Sequence, residues 1–230
     1  MLPVDLPKTI TAVGGLGTAA FGVVDAIKPL VKSINRIGLA GINATIAPLI
    51  PGAPPQQKIP ETLEANWING TDLASQKAIA KSLIKLNLNA DNAGKLADAI
   101  GLSGTKAASF KEAADKVAQG NAAKPLSADE TDAFQRFDFA VTALLDEAYQ
   151  RSDQVYRNYT RFLAMLVAVV LALAGGWMLH DVKDVEPWYS FKNLAESLVV
   201  GLLATPLAPI AKDLSTALAT AVDTLQLVKK

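Results

Sequence analysis

FLAMLVAVVLALAGGWML, residues 162–179, runs for 18 positions without a charged side chain. An apolar helix of that length fits a transmembrane segment better than a helix of a soluble core. Its flanks agree. Arg157 and Arg161 stand at its start, Trp177 near its far end, and Trp188 and Tyr189 follow shortly after. Aromatic rings favour headgroup level, where an apolar body and a polar edge are both satisfied.

Two further stretches have the same character. Thr9–Val24 carries 16 uncharged residues and Ser197–Ala211 carries 15. As straight helices each covers only about 24 Å, short of a hydrocarbon core of about 30 Å. Lys8, Lys28 and Lys192 can extend their ammonium groups to the interface and close the difference. The expected fold class is therefore all-α: a polytopic membrane protein with about three spans. The expected organisation is an N-terminal membrane segment with its basic flank (1–37), a cytoplasmic helical domain (38–160) with a Pro-rich loop (48–60), a central span (161–180), an external loop (181–193) and a C-terminal membrane segment with an amphipathic helix (194–230).

Charge placement sets an orientation. Lys28, Lys32 and Arg36 follow the first segment, and no acid occurs between Asp25 and Glu61. Arg151, Arg157 and Arg161 precede the central span, and Lys212, Lys229 and Lys230 follow the third segment. The positive-inside rule then places the N-terminus outside, the helical domain in the cytoplasm and the C-terminus inside. A bacterial inner membrane is the expected location. The external loop holds Asp181, Asp184 and Glu186, which read as a candidate acidic outer mouth or as a solvated turn.

Composition excludes several classes. Half the residues are apolar, 22 basic residues balance 22 acidic ones, and there is one histidine and no cysteine. A neutral chain lacks the basic surplus that phosphate neutralisation needs, so nucleic acid is not an expected partner. No thiolate or multi-histidine metal site can be assembled, His180 as the one histidine gives no Ser-His-Asp triad unless another subunit contributes, and no paired carboxylates stand out. No cofactor and no enzymatic activity are expected.

TAVGGLGTAAFG, residues 11–22, tests that exclusion, because Gly15-Leu16-Gly17-Thr18-Ala19-Ala20 satisfies the G-x-G-x-x-A form of a dinucleotide-binding turn. That motif needs an acid about 20 residues further on to hold a ribose. Here that region is acid-free and Pro29 interrupts the helix that would follow. Gly14, Gly15, Gly17, Thr18, Ala19 and Gly22 instead supply small-x-x-x-small pairs, which let helix backbones approach closely in lipid. They are expected at a helix-packing or oligomer interface.

The polar region reads as short, punctuated helices. Thr71 is the expected cap of one running to Leu86, Asn89 or Asp91 of one ending at Gly101, and Thr105 of one ending at Gly120. Ser127 and Glu130 form a capping box before a long pattern. Phe134, Phe137, Val141, Leu144, Ala148, Val155 and Phe162 follow it at 3–4 spacing, and no proline interrupts Ser127 to Leu179. Such a stripe serves packing within the chain or a seam between subunits.

The third segment contains Gly201, Thr205, Pro206 and Pro209. Two prolines in a helix remove amide donors. The segment is expected either to break, as a pore or binding element, or to leave the membrane at the prolines. A stripe of Ile210, Leu214, Leu218, Ala221, Val222, Leu225 and Val228 follows. The expected protein self-associates in the bilayer, as an oligomeric channel or as a non-conducting scaffold or sensor that recruits a cytoplasmic partner.

Overall fold

The computed structural model describes residues 6–51, 59–120, 124–180 and 187–228. Among them every regular element is helical: α1 (Leu6–Ile27), α2 (Lys32–Asn35), α3 (Leu39–Ile46), a 3₁₀ turn (Ala47–Leu49), α4 (Ile59–Ile68), α5 (Leu73–Leu86), α6 (Ala90–Ala99), α7 (Gly104–Gln119), α8 (Ala128–Leu179) and α9 (Phe191–Val228). Three helices are long and apolar enough to cross a membrane: Lys8–Ile27 in α1, a window of α8, and Phe191–Asp213 in α9. The chain forms two compact units. One comprises residues 1–32 and 157–230, the other residues 33–156.

Within residues 33–156 the helix boundaries follow local hydrogen bonding. The capping box before α8 is present: the Ser127 amide donates to Glu130 Oε2 at 2.6 Å, and the Glu130 amide to Ser127 Oγ at 3.3 Å. Asn89 caps α6 in the same reciprocal manner with Asn92. For α5 the cap is Asp72 rather than Thr71, its carboxylate accepting the Ser75 amide at 2.9 Å. A carboxylate next to the positive end of a helix gains charge stabilisation that a threonine hydroxyl does not. Ser103, not Thr105, occupies the cap position of α7. The expected stops are glycines in left-handed conformation, Gly101 at φ 73° and Gly120 at φ 60°.

The core of this unit gathers Ile42, Ile46 and Leu49, Leu63 and Trp67, Ile84, Leu96, Phe110, and from α8 Phe137, Val141, Leu145 and Tyr149. Phe110 and Phe137 stack with ring centroids 4.7 Å apart. Gly38, at φ 90°, allows α3 to approach α8: a Cβ there would lie 2.7 Å from the Ser152 carbonyl oxygen. Burial drives the Tyr149 phenol up to about 12, so it stays neutral.

Lysines of α5 and α7 face carboxylates of α8. Lys81 lies 2.6 Å from Asp138, Lys85 also reaches Asp138, Lys77 reaches Asp146, and Lys116 lies 2.7 Å from Glu130. The hydrogen bond from Lys116 is the largest influence on Glu130 and holds it below its ordinary value of 4.5. Burial alone raises Asp138, but bonds from Lys81 and Lys85 together outweigh it and leave the carboxyl below 3.8. Depressed folded-state values mean these pairs contribute fully above the ordinary carboxylate range and are lost as pH falls through the folded values. We expect the thermal midpoint of this unit, read from Trp67 emission in a Trp177→Phe/Trp188→Phe background, to be level between pH 7 and about 5 and then to fall. A midpoint that rises on acidification contradicts the pairing.

In the other unit, small residues set the contacts. Gly14 and Gly17 of α1 lie against α9: a Cβ on Gly14 would stand 2.8 Å from the Leu207 carbonyl oxygen, and one on Gly17 2.5 Å from the Ala204 carbonyl carbon. Gly201 of α9 meets Val169 of α8 in the same way, with 2.5 Å to its Cα. Ala20, Ala168 and Ala204 fill the interior with no exposed surface, and Val13, Leu16, Val167 and Leu171 pack around them. Without side chains between them the backbones come close enough for dispersion contact along their length.

Candidate functional site

The described residues singled out in the sequence do not converge on one site. Gly14 and Gly17 are used inside the chain, against α9. Gly15, Thr18, Ala19 and Gly22 are exposed, and a Cβ on Gly15 or Gly22 would meet nothing within 4 Å. The Thr18 hydroxyl donates to the Gly14 carbonyl at 3.1 Å, within its own helix. Phe137, Val141 and Ala148 are buried in the unit of residues 33–156, with Phe134 and Leu144 at the edge of its core, whereas Val155 is exposed. Asp181, Asp184 and Glu186 lie outside the described residues, as do residues 52–58 of the Pro-rich loop and the side chains of Leu214 and of 218–230.

The proline segment does not break the helix. α9 runs without interruption through Pro206 and Pro209, neither breaking nor restarting there. Proline at 206 removes the amide that would reach the Leu202 carbonyl, and proline at 209 the one that would reach Thr205. Both rings are on the exposed side, while Gly201, Ala204, Thr205, Ala208 and Ala211 form the buried face. Packing of that face holds the helix on course across the two missing bonds. Thr205 Oγ1 is buried there without a hydrogen-bond partner.

A cavity of about 520 Å³ opens where α8 ends and α9 begins. Its walls are Leu16, Leu171, Ala172 and Val200, its floor Gly175 and Gly176, and its polar lining His180, Trp188, Asn193, Glu196 and Ser197. Asn193 donates from Nδ2 to the Pro187 carbonyl at 3.3 Å, which ties the start of α9 to the preceding turn. Trp188 Nε1 is buried with no acceptor. A Cβ on Gly176 would lie 2.7 Å from Ser197 Oγ and 3.4 Å from Trp188 Nε1, so the missing side chain lets Ser197 and Trp188 close on α8 there. A second concavity, about 430 Å³, lies within residues 33–156 between Gly38, Gly41, Ala44 of the α3 region and Ala148, Arg151, Ser152 and Val155 of α8.

Glu196 was the readable signal for the first cavity. It is the single ionisable residue between Lys192 and Lys212. Counting the apolar segment from Ser197 leaves it outside, and its meeting with Trp188 and Gly176 depends on how α8 and α9 pair. Among the described residues no three or more histidine, aspartate or glutamate side chains gather as a metal site would require. Comparison of the chain with family models, with curated proteins and with solved structures finds no match.

Proposed function

We propose that this chain is an integral membrane scaffold, its three apolar helices anchoring a folded helical domain that recruits a soluble partner on the cytoplasmic face. The observation that carries this reading is the separate hydrophobic core of residues 33–156, beside an apolar unit in which Ala20, Ala168 and Ala204 are fully buried. The basic flanks at Lys28, Lys32, Arg36, Arg157 and Arg161 support a cytoplasmic side for that domain.

A second reading, an oligomeric channel, is favoured by one feature. Gly15, Ala19 and Gly22 leave a small-residue face of α1 exposed, on which copies can associate. Conduction would then arise between chains. Purified protein in planar bilayers separates the two: the scaffold predicts silence, and stepwise currents overturn it. The absence of native cysteine makes topology equally direct. Cysteines replacing Lys95 and Lys212 are expected to react from one side of sealed vesicles and one replacing Lys8 from the other.

A further inference from the structure

We propose that the hollow between α3 and α8, within residues 33–156, is the contact face of a twofold dimer and is filled by a second copy of this chain. The inference rests on the membrane reading above for one point, that two copies in one bilayer share an orientation. The hollow measures about 430 Å³, and α8 lines it with Leu144, Glu147, Ala148, Arg151 and Val155. On the α3 side the lining is Ala40, Gly41 and Ala44, none of which reaches beyond Cβ. Gly41 is small for a reason inside the chain, because a Cβ there would lie 3.0 Å from Ser152 Oγ. Ala40 and Ala44 are exposed, so the packing of one copy does not account for their size. The face is also without charge, since none occurs from Ile37 to Gln57. A helix face left to water ordinarily carries charged side chains, whereas a small uncharged one suits close approach by another surface.

The choice of a second copy follows from self-complementarity. A twofold contact sets one patch against itself, so that patch must hold both halves of every interaction. This one does. Val155, 49% exposed, is the apolar projection, and the alanine-lined hollow beside it is the space that receives its counterpart. Glu147 and Arg151 are the one acid and the one base of the lining. Both are largely exposed and stand 3.9 Å apart, the outer limit of an ion pair, and an exposed pair of that kind contributes little. Each is therefore able to pair across the contact. Side chains on a helix tilt toward its N-terminus, so Arg151 leans one turn back, to the level of Glu147 on a parallel copy. The twofold repeats that bridge on the other side. A different protein would need only one half of each interaction on this face.

The chain has no cysteine, so Val155→Cys in the full-length protein, reconstituted in liposomes and oxidised, reads the contact directly. A covalent dimer is expected. Phe139→Cys, exposed on the opposite side of α8 from Ala148, is expected to give none. In the Val155→Cys background, Glu147→Arg and Arg151→Glu are each expected to lower the dimer yield about fivefold. Combining both reversals in one chain is expected to restore it, and a mixture of the two single reversals is expected to crosslink one with the other. Ala44→Leu fills the hollow from within and is expected to lower the yield comparably, with a thermal midpoint that is unchanged or raised. Absence of the Val155→Cys dimer overturns the proposal, as does a dimer indifferent to the charge reversals and to Ala44→Leu. So does an association that only Gly15→Leu disrupts, which places it on α1. A different protein crosslinked at position 155 in unpurified membranes would assign the hollow to a soluble partner instead. Liposome flotation is scored separately. A chain that does not float refutes the membrane reading itself, while one that floats without the crosslink refutes only this interface.

Discussion

Replacing Gly17 by leucine is expected to abolish the disulfide that forms when cysteines are introduced at Ala20 and Ala204, whereas Gly15→Leu is expected to leave it unchanged. Ala20 and Ala204 belong to one fully buried cluster, and the chain has no cysteine of its own to confuse the readout. At Gly17 a single added carbon would already press into the Ala204 backbone, with 2.5 Å to its carbonyl carbon and 3.1 Å to Ala208 Cβ. Backbone cannot rotate aside as a side chain can, so the helices must separate. Overpacking costs typically 1–3 kcal/mol, and a clash with backbone belongs at or above the top of that range. The parting of α1 from α9 also removes the dispersion contacts that hold apolar helices together in lipid. Gly15 faces open space, and a leucine there has no such neighbour. Oxidation with copper phenanthroline followed by gel mobility reads both outcomes. Full crosslinking in Gly17→Leu would show that Gly17 does not face the Ala204 backbone.

Phe137→Ala is expected to remove most of the stability of the unit formed by residues 33–156. Phe137 has no exposed surface and stacks on Phe110 in the centre of the core. Truncating a buried phenylalanine costs about 3–5 kcal/mol, from lost transfer free energy and the cavity left behind. Domain stabilities are about 5–15 kcal/mol, so the variant stands near its unfolding threshold. Phe139, two residues on, is 71% exposed. Its replacement by alanine is expected to change stability by no more than about 0.5 kcal/mol. Hydrogen exchange of the intact protein in detergent distinguishes them: amides of α5 through α7 lose protection in Phe137→Ala and keep it in Phe139→Ala. Equal protection in both would place Phe137 outside the core.

These two glycines and two phenylalanines also mark where the sequence stops being informative. Around α1, glycine and alanine occur on nearly every face, so Gly15/Ala19 and Gly14/Gly17 read alike as approach surfaces. Small residues permit closeness without giving it a direction. Along α8, the 3–4 spacing suggests a heptad seam through Leu144 and Val155. Phe137, Val141 and Ala148 of that stripe are buried, but the buried set also runs through Ala133, Leu145, Tyr149 and Ser152 at intervals of three and four. That interval sits nearer the 3.6 residues per turn of a straight helix than the 3.5 of a coiled coil, so a strict heptad reading drifts off the buried face and arrives at exposed Val155.

Helix ends were accessible because a cap is a contact between residues three apart, as Ser127 with Glu130 shows. Even there Asp72 displaced Thr71, whose hydroxyl donates to Asn66 Oδ1 instead.

By itself the sequence determined an all-helical chain with three stretches apolar enough to cross a membrane, and the cap that starts α8. Those properties depend on composition and neighbours within a few positions. Only the tertiary structure decided that Gly17 meets Ala204, that Pro206 and Pro209 lie within one unbroken helix, and that Ser197 packs on Gly176. Each of those outcomes depends on which face of a helix a distant segment covers. Packing geometry settles it, and hydropathy carries no record of it.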